Sequence, residues 1–96
     1  MKVELLFWKG CPSYPEAEEL LRDVVGEAAV EVHEVTTQEE AEALRFPGSP
    51  TIRIDGVDID PDGAQARPAL NCRIYRLPNG RVSPVPTREM LEAALR

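Results

Sequence analysis

The chain has 96 residues, 43% of them hydrophobic and 29% charged, and a net charge of −6. A chain this short supports one core, so residues 1–96 read as a single domain, and the ordinary soluble balance excludes global disorder and fibrous repeats. The acidic excess disfavours a phosphate-backbone partner, and two cysteines, Cys11 and Cys72, are too few for a disulfide scaffold.

The apolar run Leu5–Trp8 falls far short of the ~20 residues of a membrane span, and Glu4 interrupts any signal-peptide core. No targeting segment is visible, so the cytoplasm is the expected compartment, with no membrane or nucleic-acid partner.

In chain order, residues 1–8 are β-prone and nearly continuous in apolar character after Glu4, as suits a central strand covered on both faces. Lys9-Gly10-Cys11-Pro12 breaks this strand. Ser13 with Glu16 three residues later has the pattern of a capping box, so a helix is expected from Ser13 to about Gly26. Its apolar stripe is Tyr14, Ala17, Leu20, Leu21, Val24, Val25 and Ala28. Val30–Val35 reads as a second strand, parallel to the first through a right-handed crossover. Thr37 with Glu40 repeats the capping pattern for a short helix ending before Pro47 and Gly48. Thr51–Ile54 and Val57–Ile59 flank Asp55-Gly56, a strong hairpin signal.

Residues 60–70 show turn chemistry and no period, and read as a surface loop. Cys72–Leu77 and Arg81–Val85 are candidate strands about the turn Pro78-Asn79-Gly80, with Pro84 confining the second to an edge. Thr87 can cap a last helix whose stripe is Met90, Leu91, Ala94 and Leu95. Charge is uneven: residues 1–48 carry four bases and eleven acids, and residues 49–96 carry seven bases and six acids. Arg67, Arg73, Arg76 and Arg81 surround Cys72 with no acid between Asp62 and Glu89.

Cys11 falls between a buried strand and a helix start, where unpaired N–H groups and the helix dipole favour a thiolate. An accessible, nucleophilic Cys11 is therefore the expectation; the alternative is a small buried hydrophobe. Tyr14 suits either a hydrogen bond to the thiolate or packing of its ring, and Trp8 suits shielding of the site. His33 has no second histidine with which to make a metal set, and no Walker loop, dinucleotide fingerprint or serine triad is present, so neither metal nor cofactor is assigned.

Trp8-Lys9-Gly10-Cys11-Pro12-Ser13-Tyr14 at the first strand-to-helix junction, set in this order of elements, resembles the thioredoxin-like superfamily over about residues 1–59 and the last helix. The resemblance implies an α/β, three-layer βαβαββα fold with residues 60–86 as an inserted loop and hairpin. It further implies that Pro50 in Gly48-Ser49-Pro50-Thr51 is a cis-proline, and that Trp8, Tyr14, Ser49, Pro50 and Thr51 border the substrate. The chain departs from the Cys-x-x-Cys pattern, because Tyr14 stands at the second cysteine position. An external thiol such as glutathione, or the distant Cys72, would then resolve a mixed disulfide formed on Cys11. Cys72 as the resolving cysteine and Cys72 as an uninvolved thiol both remain open at this level.

The expected function is thiol-dependent oxidoreduction of a disulfide or other electrophilic sulfur. A soft-metal or organometal thiolate carrier and a non-catalytic binding module that uses the Pro50 face are the rivals. Nine arginines, nine prolines, two asparagines and two glutamines point to a thermophilic origin.

Overall fold

In a computed structural model of residues 1–96, the apolar stretch Val3–Phe7 forms strand β1. It pairs in parallel with β2 (Val30–Glu34) on one side and antiparallel with β3 (Thr51–Ile54) on the other. β3 turns through Asp55-Gly56, both at positive φ, into β4 (Val57–Asp58), which completes a sheet of order β2-β1-β3-β4. Two successive left-handed residues match the twist of a tight hairpin, which is why Asp-Gly stands there.

β1 is apolar almost throughout because both faces of the sheet are covered. Val3 and Leu5 pack with Ile52 against Leu21 of α1 (Tyr14–Val25) and Leu91 of α3 (Arg88–Ala94). Leu6 points the other way, to Val35, Phe46 and Ala41 of α2 (Gln38–Leu44). The fold is thus mixed α/β, with helices on both sides of one sheet. No helix is long and apolar enough to cross a membrane.

Helix starts follow the expected chemistry in two of three cases. Thr37 accepts from the Glu40 N–H and Thr87 from the Met90 N–H. Glu40 reaches back to the Thr36 N–H, one residue beyond a true capping box, and this bond is the chief reason its carboxyl lies below the ordinary range. The Ser13 capping box does not form: α1 begins at Tyr14, and the Ser13 hydroxyl makes no bond to the helix backbone. Ala28 lies past the end of α1 in a short 3-10 turn and is exposed, so it is no part of the helix stripe.

Residues 60–86 hold a 3-10 turn at Gly63–Gln65 and a small antiparallel pair, β5 (Tyr75–Arg76) with β6 (Val82–Ser83). Both strands are shorter than the runs 72–77 and 81–85. Pro84 lies outside the ladder, as a residue without an N–H must. Residues 60–70 contain no buried residue and no strand, as a surface loop would, but the stretch that follows enters the core: Tyr75 is the largest fully buried side chain and Arg73 is buried with it. The segment is pinned by the Ala69 N–H on the Phe46 carbonyl and by Gln38 on the Pro68 carbonyl.

Candidate functional site

Cys11 sits in the turn from β1 to α1, its N–H donating to the Trp8 carbonyl at 3.1 Å. The turn is tight because the Trp8 indole lies over Gly10, where an added Cβ would come within 2.3 Å of the ring. Only glycine admits that approach. Cys11 is fully buried rather than accessible. Its sulfur is joined to that of Cys72 in a disulfide whose Cα atoms are 5.4 Å apart, within the span such a bond requires. The Ser13 Oγ is 3.2 Å from the Cys11 sulfur, and since a disulfide sulfur carries no proton, the hydroxyl is the donor. This contact is what occupies Ser13 in place of a cap.

Cys72 is brought there by the main chain. The Ser49 N–H donates to the Asn71 carbonyl at 2.8 Å and the Arg73 N–H to the Ser49 carbonyl at 3.0 Å, a parallel bridge that centres Cys72 beside Ser49. Gly48 permits it: at φ +135° an added Cβ would lie 2.7 Å from Asn71 Oδ1 and 3.0 Å from Arg73 Cβ. The Ser49–Pro50 bond is cis.

The hydroxyls of Ser49, Thr51 and Tyr75 and the carbonyls of residues 48–50 are paired, as burial demands, whereas Nε and Nη2 of Arg73 have no hydrogen-bond partner and Nη2 lies 4.0 Å from the Asp60 carboxylate. Thr51 Oγ1 donates to the Gly48 carbonyl, the Arg73 N–H to that of Ser49, and the Tyr75 hydroxyl to that of Pro50. Ser49 Oγ accepts the Trp8 N–H at the end of β1. The Arg73 guanidinium pairs with Asp58 at 2.7 Å, both side chains at most 5% exposed, and donates also to Thr51 Oγ1. Its plane lies 4.4 Å from the Tyr75 ring centre, a cation–π arrangement. Burial raises the Tyr75 phenol above its ordinary pKa, with the Arg73 charge opposing and Asp58 and Asp60 adding to the shift.

The structure therefore joins Cys11 and Cys72 and gathers Ser49, Pro50 and Thr51 around them, all three fully buried beneath residues 71–75. Tyr14 stacks on Phe7 at 4.2 Å between ring centres, which is the packing role. Trp8 is half-buried and packs against the Leu6 cluster. Of the four arginines around Cys72, Arg73 is spent on Asp58, while Arg67, Arg76 and Arg81 are exposed. His33 faces Glu40 at 3.3 Å, and no three His, Cys, Asp or Glu residues gather as a metal set. A concavity of about 960 Å³ along α1 between Pro15 and Glu27 includes neither cysteine.

Ser13, Gly48, Asp58 and Tyr75 also surround the disulfide and were missed as site residues from sequence, while Arg73 was marked only as one of four arginines around Cys72. Of those missed, only Ser13 and Gly48 carried a local signal, as neighbours of Cys11 and of Ser49-Pro50. No protein-family model, curated protein or solved structure matches this chain.

Proposed function

We propose that this protein is a thiol–disulfide oxidoreductase of thioredoxin-like build whose redox pair is Cys11 and Cys72. The observation that carries the reading is the disulfide between two cysteines 61 residues apart, one in the turn before α1 and the other in the inserted segment. The distant cysteine takes the place of the one absent at Tyr14. The sheet order β2-β1-β3-β4, with helices on both faces and a cis-proline beside the disulfide, supports the thioredoxin-like reading.

The chemistry is a two-electron exchange. Two external thiols reduce the internal disulfide to two cysteine thiols and leave as one disulfide, and the reverse oxidises the protein. The substrates are accordingly thiols and disulfides, with no cofactor. Ser49, Pro50 and Thr51 act in this reading by positioning the pair. Neither backbone group of Ser49 is free for a peptide while residues 71–73 hold it.

Equilibration with defined ratios of reduced to oxidised glutathione is the test. The expected outcome is one cooperative transition between dithiol and internal disulfide, together with catalysed reduction of a small disulfide by glutathione. If the cysteines stay reduced under oxidised glutathione, or turnover stays at background, the assignment is wrong. The same pairing favours one second reading: reduced, the two thiolates offer a soft ion such as Hg(II) or Cu(I) a pair of sulfur donors without a third ligand. Protection of both thiols by one equivalent of either ion, with no exchange activity, is the result that selects the carrier.

A further inference from the structure

The two sulfurs of the disulfide are unequal. Cys11 has no exposed surface, whereas Cys72 is exposed. Exchange proceeds by in-line attack of a thiolate on one sulfur while the other departs, so access and leaving-group acidity decide which sulfur is attacked. Attack on the Cys11 sulfur would bring the nucleophile in from the side opposite Cys72. Cys11 offers no exposed surface for such an approach, and the Ser49 carbonyl oxygen at 3.5 Å and the Ser13 hydroxyl at 3.2 Å pack against its sulfur. Attack on Cys72 needs no such opening.

The departing side is equally polarised. As the bond to Cys72 breaks, the electron pair passes to the Cys11 sulfur, which already accepts from the Ser13 hydroxyl. It also lies at the start of the twelve-residue helix α1, whose first N–H groups have no side-chain cap. Both features stabilise a thiolate at Cys11 and make it the better leaving group. Nothing comparable faces Cys72, because the one cation beside it in sequence, Arg73, is turned inward and neutralised by Asp58.

We propose that Cys72, rather than Cys11, is the sulfur that exchanges with external thiols, and that Cys11 is the buried resolving cysteine; the inference rests on the redox reading above. In the reducing direction an external thiolate bonds to Cys72, the internal bond breaks, and Cys11 leaves as thiolate. A second thiolate then attacks the external sulfur of the mixed disulfide, releasing the external disulfide and the Cys72 thiolate. In the oxidising direction the Cys72 thiolate attacks an external disulfide and expels one thiolate. Cys11 thiolate next attacks the Cys72 sulfur, closes the internal bond and expels the second. Residues 71–73 stay anchored on Ser49 and Asp58 throughout, so the two sulfurs remain within reach in the reduced form.

Glutathione disulfide is the probe, with acid quenching and mass spectrometry to locate the adduct. Reduced Cys11→Ser should take up one glutathione at Cys72. Reduced Cys72→Ser should react at Cys11 at least ~10-fold more slowly, because the buried thiol must await a local opening. Reduced wild type, quenched early, should carry its transient adduct on Cys72, which gives the same answer should either variant fail to fold. An adduct on Cys11 in wild type that still closes its internal disulfide overturns this assignment and leaves the oxidoreductase reading standing. Failure of wild type to close the internal disulfide overturns both.

Discussion

Reducing the Cys11–Cys72 bond should destabilise the fold by an amount set by the length of chain it closes. The two residues are 61 apart in sequence, and the chain-entropy relation for a loop of that size gives about 4 kcal/mol at 25 °C. A domain of this size has a total stability of roughly 5–15 kcal/mol, so the loss is a large share of the whole. The contacts that hold Cys72 in place do not depend on the bond. The Asn71–Ser49–Arg73 bridge, the Arg73–Asp58 pair and the Tyr75 hydroxyl on Pro50 involve neither sulfur, so the reduced protein should keep them and remain folded.

By linkage the same 4 kcal/mol must also separate the ease of closing the disulfide in the folded and unfolded chains. Every 1.4 kcal/mol is about tenfold, so closure should be favoured ~10³-fold more in the folded state. That corresponds to a reduction potential lower by about 90 mV. Urea unfolding of the oxidised and fully reduced forms measures the first quantity. Glutathione equilibration with and without denaturant measures the second. A stability difference below ~1 kcal/mol, or two results that disagree by more than a factor of ten in equilibrium constant, would refute the argument that a preorganised pair closes this loop.

Asp58→Ala strands the Arg73 charge in a site 4% exposed and should cost about 3–5 kcal/mol, whereas the double replacement Asp58→Ala with Arg73→Met should recover most of it; urea midpoints compare the two. Gly48→Ala forces a Cβ against Asn71 and Arg73 at a positive φ. It should destabilise by about 1–3 kcal/mol and leave more glutathione mixed disulfide at equilibrium, both readable by mass spectrometry and thermal unfolding. Because burial raises the Tyr75 pKa, the neutral phenol's contribution to stability is complete below the unfolded value of about 10 and is lost as pH rises towards the folded value. In Tyr14→Phe, where Tyr75 is the remaining tyrosine, tyrosinate absorbance should therefore emerge only with alkaline unfolding; its emergence in the folded protein at pH about 10 would contradict the burial argument.

Local sequence determined those features whose cause is local. Periodicity marked the faces of α1 and α3, Thr37 and Thr87 marked the starts of α2 and α3, and Asp55-Gly56 fixed a hairpin because few residues tolerate two left-handed positions in succession. The unbroken apolar character of β1 told of a strand covered twice. Cys11 was conspicuous for the same reason, since its turn and its helix adjoin it in the chain.

Tertiary structure decided what lies on the far side of that turn. Whether Cys72 meets Cys11 depends on a parallel bridge to Ser49, on a salt bridge between Arg73 and Asp58, and on a tyrosine buried against Pro50. Those partners are separated by between 15 and 25 residues in the chain, and no propensity or period encodes a pairing over that distance. The same holds for Ser13. Its sequence position favours a cap, but a sulfur within 3.2 Å competes for the hydroxyl and wins. Which sulfur faces solvent is decided by burial, and burial follows from how residues 60–86 fold back over the sheet, a property of the packed chain rather than of any stretch within it.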